Sequence, residues 1–112
     1  DLKNISIIRS KNKNLESSNY CLSLILKNKL AKKRNIIIEE LNKLGVGTSI
    51  YYPIPVPRMN YYKNKYGYKK TSFKNAEIIS DNSISLPVGP HLKQNQMINI
   101  AKILISILKK YE

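Results

Sequence analysis

The groups best suited to contact a ligand crowd into one stretch, Tyr51-Tyr52-Pro53-Ile54-Pro55-Val56-Pro57-Arg58. Tyrosine carries a hydroxyl that donates and accepts on a flat apolar ring, and arginine carries a planar fork of donors. These are binding groups. A second cluster, Tyr61, Tyr62, Tyr66 and Tyr68, interleaves with Lys63, Lys65, Lys69 and Lys70, a pattern able to stack the bases of a single-stranded nucleic acid. Other chemistry lacks its residues. His91 is the single histidine and Cys21 the single cysteine, so a multi-histidine metal site or a Cys/His nucleophile pair has no second member. Cys21 stands in an apolar run and reads as core filler, and His91, after Pro90, reads as a surface or capping residue. Pro53, Pro55 and Gly45 read as architectural, fixing a strand exit and a helix stop.

Charge is the most conspicuous feature of the composition and the one that points least clearly to a partner. The 112 residues carry a net charge of +13, which ordinarily suggests nucleic acid or an anionic surface. Yet lysine outnumbers arginine 17 to 3, and Lys, Asn and Ile together fill 47 positions. All three have A/T-rich codons, so drift in an A/T-rich genome accounts for the charge, whereas phosphate and guanine recognition favours arginine forks. Composition therefore argues against specific nucleic-acid binding. No apolar run approaches the roughly 20 residues that cross a bilayer. The start Asp1-Leu2-Lys3-Asn4 shows no signal-peptide pattern, and the unpartnered cysteine suits a reducing compartment, so a cytoplasmic protein without membrane contact is expected.

The elements that position these groups follow from hydrophobic periodicity. Ile5-Ser6-Ile7-Ile8 reads as a short strand, the polar stretch Ser10 to Asn19 as a loop, and Tyr20 to Leu26 as a strand in mid-sheet. Ile37, Ile38, Leu41 and Leu44 recur at helical spacing within Ala31 to Leu44, and Gly45 stands where a left-handed cap favours glycine, with Val46 closing the apolar contact. Thr48 to Tyr52 reads as a strand that Pro53 must end. Arg58 to Thr71 reads as an irregular connection, Ser72 as the cap of a short helix carrying Phe73, Ala76 and Ile79, and Ser83 to Leu86 as a half-buried strand. The last helix presents Ile98, Ala101, Leu104, Ile105, Leu108 and Tyr111 as one stripe, with Lys109 and Lys110 at the negative end of its dipole. The sum is an α+β single domain over residues 1–112: a small sheet of three to four strands with helices on one face, strand directions open.

Two motifs carry a family resemblance. Leu44-Gly45-Val46-Gly47-Thr48-Ser49-Ile50-Tyr51-Tyr52-Pro53-Ile54-Pro55 is similar to an L-x-x-x-G-I-G-T turn running into an H-Y-P-x-P segment, and Ser85-Leu86-Pro87-Val88-Gly89-Pro90-His91-Leu92 to an S-L-P-x-x-P-x-L stretch before a final helix. In that order, joined by Tyr66-Gly67-Tyr68 and the Phe73 to Ile79 helix, they resemble the C-terminal small domain of DegT/DnrJ/StrS sugar aminotransferases, from Arg34 to Glu112. Tyr51 and Pro57-Arg58 stand where the family often has histidines, and Lys93-Gln94-Asn95-Gln96 replaces a Thr-Glu-Glu-like helix start.

The resemblance implies a fold-type I aminotransferase whose pyridoxal phosphate is bound mainly outside this chain, by a lysine and an acidic residue of a large domain. None of the lysines here matches the family's lysine motif, so no catalytic and no cofactor-binding residue is assigned and catalysis by this chain alone is not expected. It further implies a homodimer when full length, and amination of a nucleotide-linked keto sugar, with an amino-acid donor such as glutamate, in polysaccharide or glycoconjugate precursor synthesis. Tyr51 and Tyr52 would then meet sugar or phosphate oxygens, and Arg58 a diphosphate. Two other readings stay open: a free-standing, non-catalytic binding or regulatory domain of the same fold, and a basic nucleic-acid binder.

Overall fold

Two antiparallel pairings organise the chain. β1 (Ile5–Ile7) pairs with β2 (Leu22–Leu26), and β2 with β3 (Ser83–Leu86), so β2 is central as expected. A computed structural model describes residues 3–10, 12–69 and 72–112; the expectations that touch Asp1, Leu2, Lys11, Lys70 and Thr71 lie outside the described residues at those positions. The register sets Leu22 against Leu86 and Leu24 against Ile84, with Ser23 against Ser85 and Ile25 against Ser83. Because side chains alternate across a strand, the aliphatic pairs share one face and the serines the other.

The aliphatic face packs on α1 (Asn28–Lys32), α2 (Arg34–Lys43) and α5 (Gln94–Tyr111), which supply Leu30, Ile37, Leu41, Leu104, Ile107 and Leu108 to the core. The architecture is the expected α+β one, with core helices on one face. The opposite face is not open to water, since Ser23, Ser83 and Ser85 are buried and the Oγ atoms of Ser23 and Ser85 lie 2.8 Å apart. β3 is thus buried throughout rather than half-buried.

The helix expected over 31–44 is two helices, interrupted at Lys33 (φ −105°, ψ 8°). Its end follows the sequence signal. Gly45 adopts φ +78°, its N–H donates to the Asn42 carbonyl (3.0 Å), and the Val46 N–H donates to the Leu41 carbonyl (2.9 Å). These are the two bonds of a Schellman motif, closed by the buried Val46 and Leu41. Leu44, expected on the apolar stripe, is 58% exposed.

Four further expectations are corrected. The strand over 48–52 reduces to one antiparallel bridge, Ser49 with Ser85, because the prolines that follow supply no donors. The connection 58–71 follows a 3-10 turn (Val56–Arg58) and contains a helix, α3 (Asn60–Tyr66), ended by Gly67 at φ +65°. Ser72 does not cap the next helix, α4 (Lys74–Asn82): its hydroxyl accepts from the Lys69 N–H, and Ser80, not Phe73 or Ile79, is the buried residue of α4. The buried stripe of α5 runs through Leu104, Ile107 and Leu108, with Ile100, Ile103 and Tyr111 beside it. Ile98 and Ile105 are exposed, and Ala101 and Ile105 border an apolar cavity of about 230 Å³.

One carboxylate ties α2 to the end of α5. Lys110 Nζ and Tyr111 Oη both donate to Glu40 Oε1. The hydrogen bonds from Lys110 and Tyr111 hold the Glu40 carboxyl below its ordinary range, and the bond to Glu40 raises both the Lys110 ammonium and the Tyr111 phenol above theirs. A depressed carboxyl stabilises the fold fully above its unfolded pKa, about 4.3 for glutamate, and that contribution is lost as pH falls through the folded value. The raised lysine and tyrosine contribute below their unfolded values, about 10, and lose that contribution as pH rises through the folded ones.

Two predictions follow from this packing. Thermal melts of the parent and Glu40→Gln should differ most near neutral pH and draw together as pH falls below the ordinary glutamate range; a gap that persists unchanged at acid pH would show that the latch contributes nothing through its charge. In denaturant titrations Leu41→Ala, at a fully buried position, should cost about 3 kcal/mol, whereas Leu44→Ala at its exposed neighbour should cost under about 0.5 kcal/mol.

Candidate functional site

The cap at Gly45 and Val46 turns the chain back along the outer edge of β3, where Ser49 and Ser85 exchange backbone hydrogen bonds of 3.1 and 2.8 Å. Two residues later the chain leaves the sheet. Tyr51 and Tyr52, joined by a cis peptide bond, project from this exit with ring centroids 5.9 Å apart and planes at 75°. The Tyr20 ring, just before β2, lies 6.4 Å from that of Tyr51.

Between them opens a hollow of about 410 Å³ bordered by Tyr20, Cys21, Thr48, Ser49, Tyr51 and Ser85. Its side-chain polar groups are hydroxyls and one thiol. Among the described residues no lysine, arginine, histidine, aspartate or glutamate lines it. Tyr52, 74% exposed, faces a second and more apolar hollow of about 350 Å³ with Ile54, Val56, Met59 and Ile79; Tyr51 borders both. Such walls hydrogen-bond neutral hydroxyl groups and cover flat or apolar faces.

Arg58 lies apart from both hollows. Its Nη1 and Nη2 donate to the two carboxylate oxygens of Asp81 at 2.7 and 2.8 Å, and Glu77 lies 3.5 Å from Nη2. The hydrogen bond to Asp81 raises the guanidinium pKa above its ordinary value, so the fork stays charged and engaged with α4. The structure therefore brings Tyr51 and Tyr52 together and turns Arg58 elsewhere.

Tyr20, Cys21, Thr48, Ser49 and Ser85 are wall residues that sequence reasoning missed. Cys21 is exposed at this wall, not core filler, because β2 begins only at Leu22. The antiparallel pairing of Leu22 with Leu86 places the residues before β2 beside those after β3, and strand direction was open in the sequence.

The tyrosine cluster forms a self-contacting row. Centroids of Tyr61–Tyr62, Tyr62–Tyr66, Tyr66–Tyr68 and Tyr68–Phe73 lie 5.1, 6.3, 5.5 and 5.1 Å apart, and the Lys65 ammonium is 5.4 and 5.5 Å from the Tyr61 and Tyr66 rings. These rings contact one another and a cation, which gives the residues a structural role without a ligand. His91 is exposed and borders neither hollow. Among the described residues no group of His, Cys, Asp or Glu is placed to hold a metal ion, and no helix is long and apolar enough to cross a membrane.

Pyridoxal phosphate needs an amine to form its covalent link and an acid for its ring nitrogen. Among the described residues, those lining this hollow supply neither and do not fit the cofactor.

Comparisons with known proteins agree with this geometry. The sequence model of the DegT/DnrJ/EryC1/StrS aminotransferase family matches residues 1–105. The uncharacterized protein MJ1066 of Methanocaldococcus jannaschii is 34% identical over 87 residues, 78% of this chain and 22% of that protein. The spore coat polysaccharide biosynthesis protein SpsC of Bacillus subtilis is 27% identical over 90 residues, 80% of this chain and 23% of that protein. Among solved structures, the PLP form of Spr1654 from Streptococcus pneumoniae, named as a sugar aminotransferase, superposes with a TM-score of 0.82 at 27% identity, covering 97% of this chain and 27% of that one. The chain thus spans about a quarter of the length of the proteins it matches. With the fold, the two ordered motifs and the family match in agreement, the chain belongs to the DegT/DnrJ/EryC1/StrS aminotransferase family.

Proposed function

We propose that this chain is the C-terminal small domain of a pyridoxal-phosphate-dependent aminotransferase that aminates a nucleotide-linked keto sugar in polysaccharide or glycoconjugate precursor synthesis. The observation that carries the reading is the uncharged, hydroxyl-lined hollow beside Tyr51, on a chain whose matched relatives continue well beyond it. A sugar presents hydroxyl groups and apolar ring faces, and this wall offers partners for both. Spr1654 has been solved in PLP and PMP forms, and SpsC is named for polysaccharide biosynthesis; both support the class of reaction.

In this reading pyridoxal phosphate supplies the electron sink that makes amino transfer possible, and a large domain outside this chain holds it and the amino-acid donor. The present residues bind. Tyr51 donates its hydroxyl to a sugar or phosphate oxygen, and the Tyr51 and Tyr52 rings cover the ligand and exclude water. Arg58 meets a diphosphate only by releasing Asp81, so its main contribution is to hold α4. The full-length protein is a cytoplasmic homodimer.

The test uses the native polypeptide that carries this chain, purified with its cofactor, in single-turnover reactions with an amino donor and with a panel of nucleotide-linked keto sugars. Tyr51→Phe should raise KM for the sugar about three- to ten-fold, the range of one lost hydrogen bond, and leave the amino-donor half-reaction unchanged. A native polypeptide with no pyridoxal-phosphate domain, or one that binds the cofactor yet aminates no sugar in the panel, would overturn the assignment and favour a non-catalytic binding domain.

A further inference from the structure

We infer that Ser80 is a positioning residue for the Tyr51–Tyr52 wall, acting through the Tyr52 carbonyl and held in turn by Arg34. The inference rests on the reading of that wall as a ligand surface and adds to it the device that orients it.

Pro53, Pro55 and Pro57 have no N–H, so the segment that carries the tyrosines cannot be held by a strand ladder. Among the described residues its backbone pairing stops at Ser49 with Ser85 and resumes only in the turn Val56–Arg58. Side chains bridge the gap. Ser80 Oγ donates to the Tyr52 carbonyl, and Ser80 is 3% exposed, so the bond is sheltered from water. A helical serine commonly turns its hydroxyl back to a carbonyl of its own helix; this one reaches a residue 28 positions away.

Ser80 is itself anchored. Arg34, the first residue of α2, donates from Nη1 to the Ser80 carbonyl at 2.7 Å. At the far end of the proline segment Arg58 grips Asp81, the next residue of α4. The segment is thus tied near both ends to consecutive residues of one helix, and through Arg34 to the core helix α2. The orientation of Tyr51 and Tyr52 depends on side-chain bonds that a backbone ladder would otherwise supply.

The test places a single 3-fluorotyrosine at position 52 of the native polypeptide and reads its fluorine resonance without any ligand. In the parent one narrow line is expected. Ser80→Ala should broaden it or move it toward the value of free fluorotyrosine, while Ser80→Thr, which keeps the hydroxyl, should restore the parent line. Arg34→Met leaves Ser80 in place and should move the line in the same direction, which keeps the inference testable if the buried threonine is not accommodated. An unchanged line in Ser80→Ala, in a protein whose melting curve shows it folded, would overturn the inference, and an unchanged line in Arg34→Met would remove Arg34 from it. With the cofactor present, Ser80→Ala should raise KM for the keto sugar about three- to ten-fold and spare the amino-donor half-reaction. A fluorine response in a parent that aminates no sugar would leave the positioning role standing and overturn the proposed reaction instead.

Discussion

The register of β2 against β3 is the constraint on which the rest of the molecule depends. Side chains alternate along a strand, so a slip of one residue would exchange the two faces of the sheet. Leu22, Leu24, Ile84 and Leu86 would leave the helices, and Ser23, Ser83 and Ser85 would be pressed into the aliphatic core. The observed register avoids this and also sets Ser23 opposite Ser85, 2.8 Å apart between hydroxyl oxygens. A buried hydroxyl without a partner costs about 1–3 kcal/mol, and pairing two removes most of that cost. The same register brings Tyr20 and Cys21 beside the residues that follow β3, which makes one side of the hollow.

From that sheet outward the means of holding the chain changes. The strands and helices are held by backbone bonds and aliphatic burial. Beyond Ser49 prolines remove the donors, and side chains take over: Ser80 to Tyr52, Arg34 to Ser80, and Arg58 to Asp81 and Glu77. A segment held this way keeps both its hydrogen-bonding edges and its rings available, because no neighbouring strand covers them. Tyr52 is exposed for that reason, and Tyr51 can border two hollows at once.

How much of this was legible in the sequence depended on whether the cause was local. The stop at Gly45, the burial of Val46 and the central place of β2 follow from neighbours in sequence, and all were readable. The α3 helix was not, since Asn60-Tyr61-Tyr62-Lys63-Asn64-Lys65-Tyr66 has no apolar period facing a core and none of its residues is buried. The α5 stripe is right at Leu104, Leu108 and Tyr111 but misplaces Ile98, Ala101 and Ile105, because the helix carries isoleucine on several faces and only the docked sheet decides between Ile105 and Ile107. Arg58 is the sharpest case for the site. Its fork was visible, but its partners lie about 20 positions downstream on a helix whose facing side no local pattern reveals.

The distribution of charge separates what this chain contributes from what it leaves to the rest of the protein. Glu40, Glu77 and Asp81 are engaged in bonds between elements, and among the described residues no acidic residue and no lysine lines the hollow beside Tyr51. A charged wall would attract any phosphate, with strength that falls as salt rises. A neutral wall of hydroxyls and rings instead discriminates by the geometry of its hydrogen bonds, since an unmatched buried donor or acceptor is costly. The excess of lysine therefore bears on long-range attraction, while the described wall beside Tyr51 offers only short-range hydrogen bonds and ring contacts.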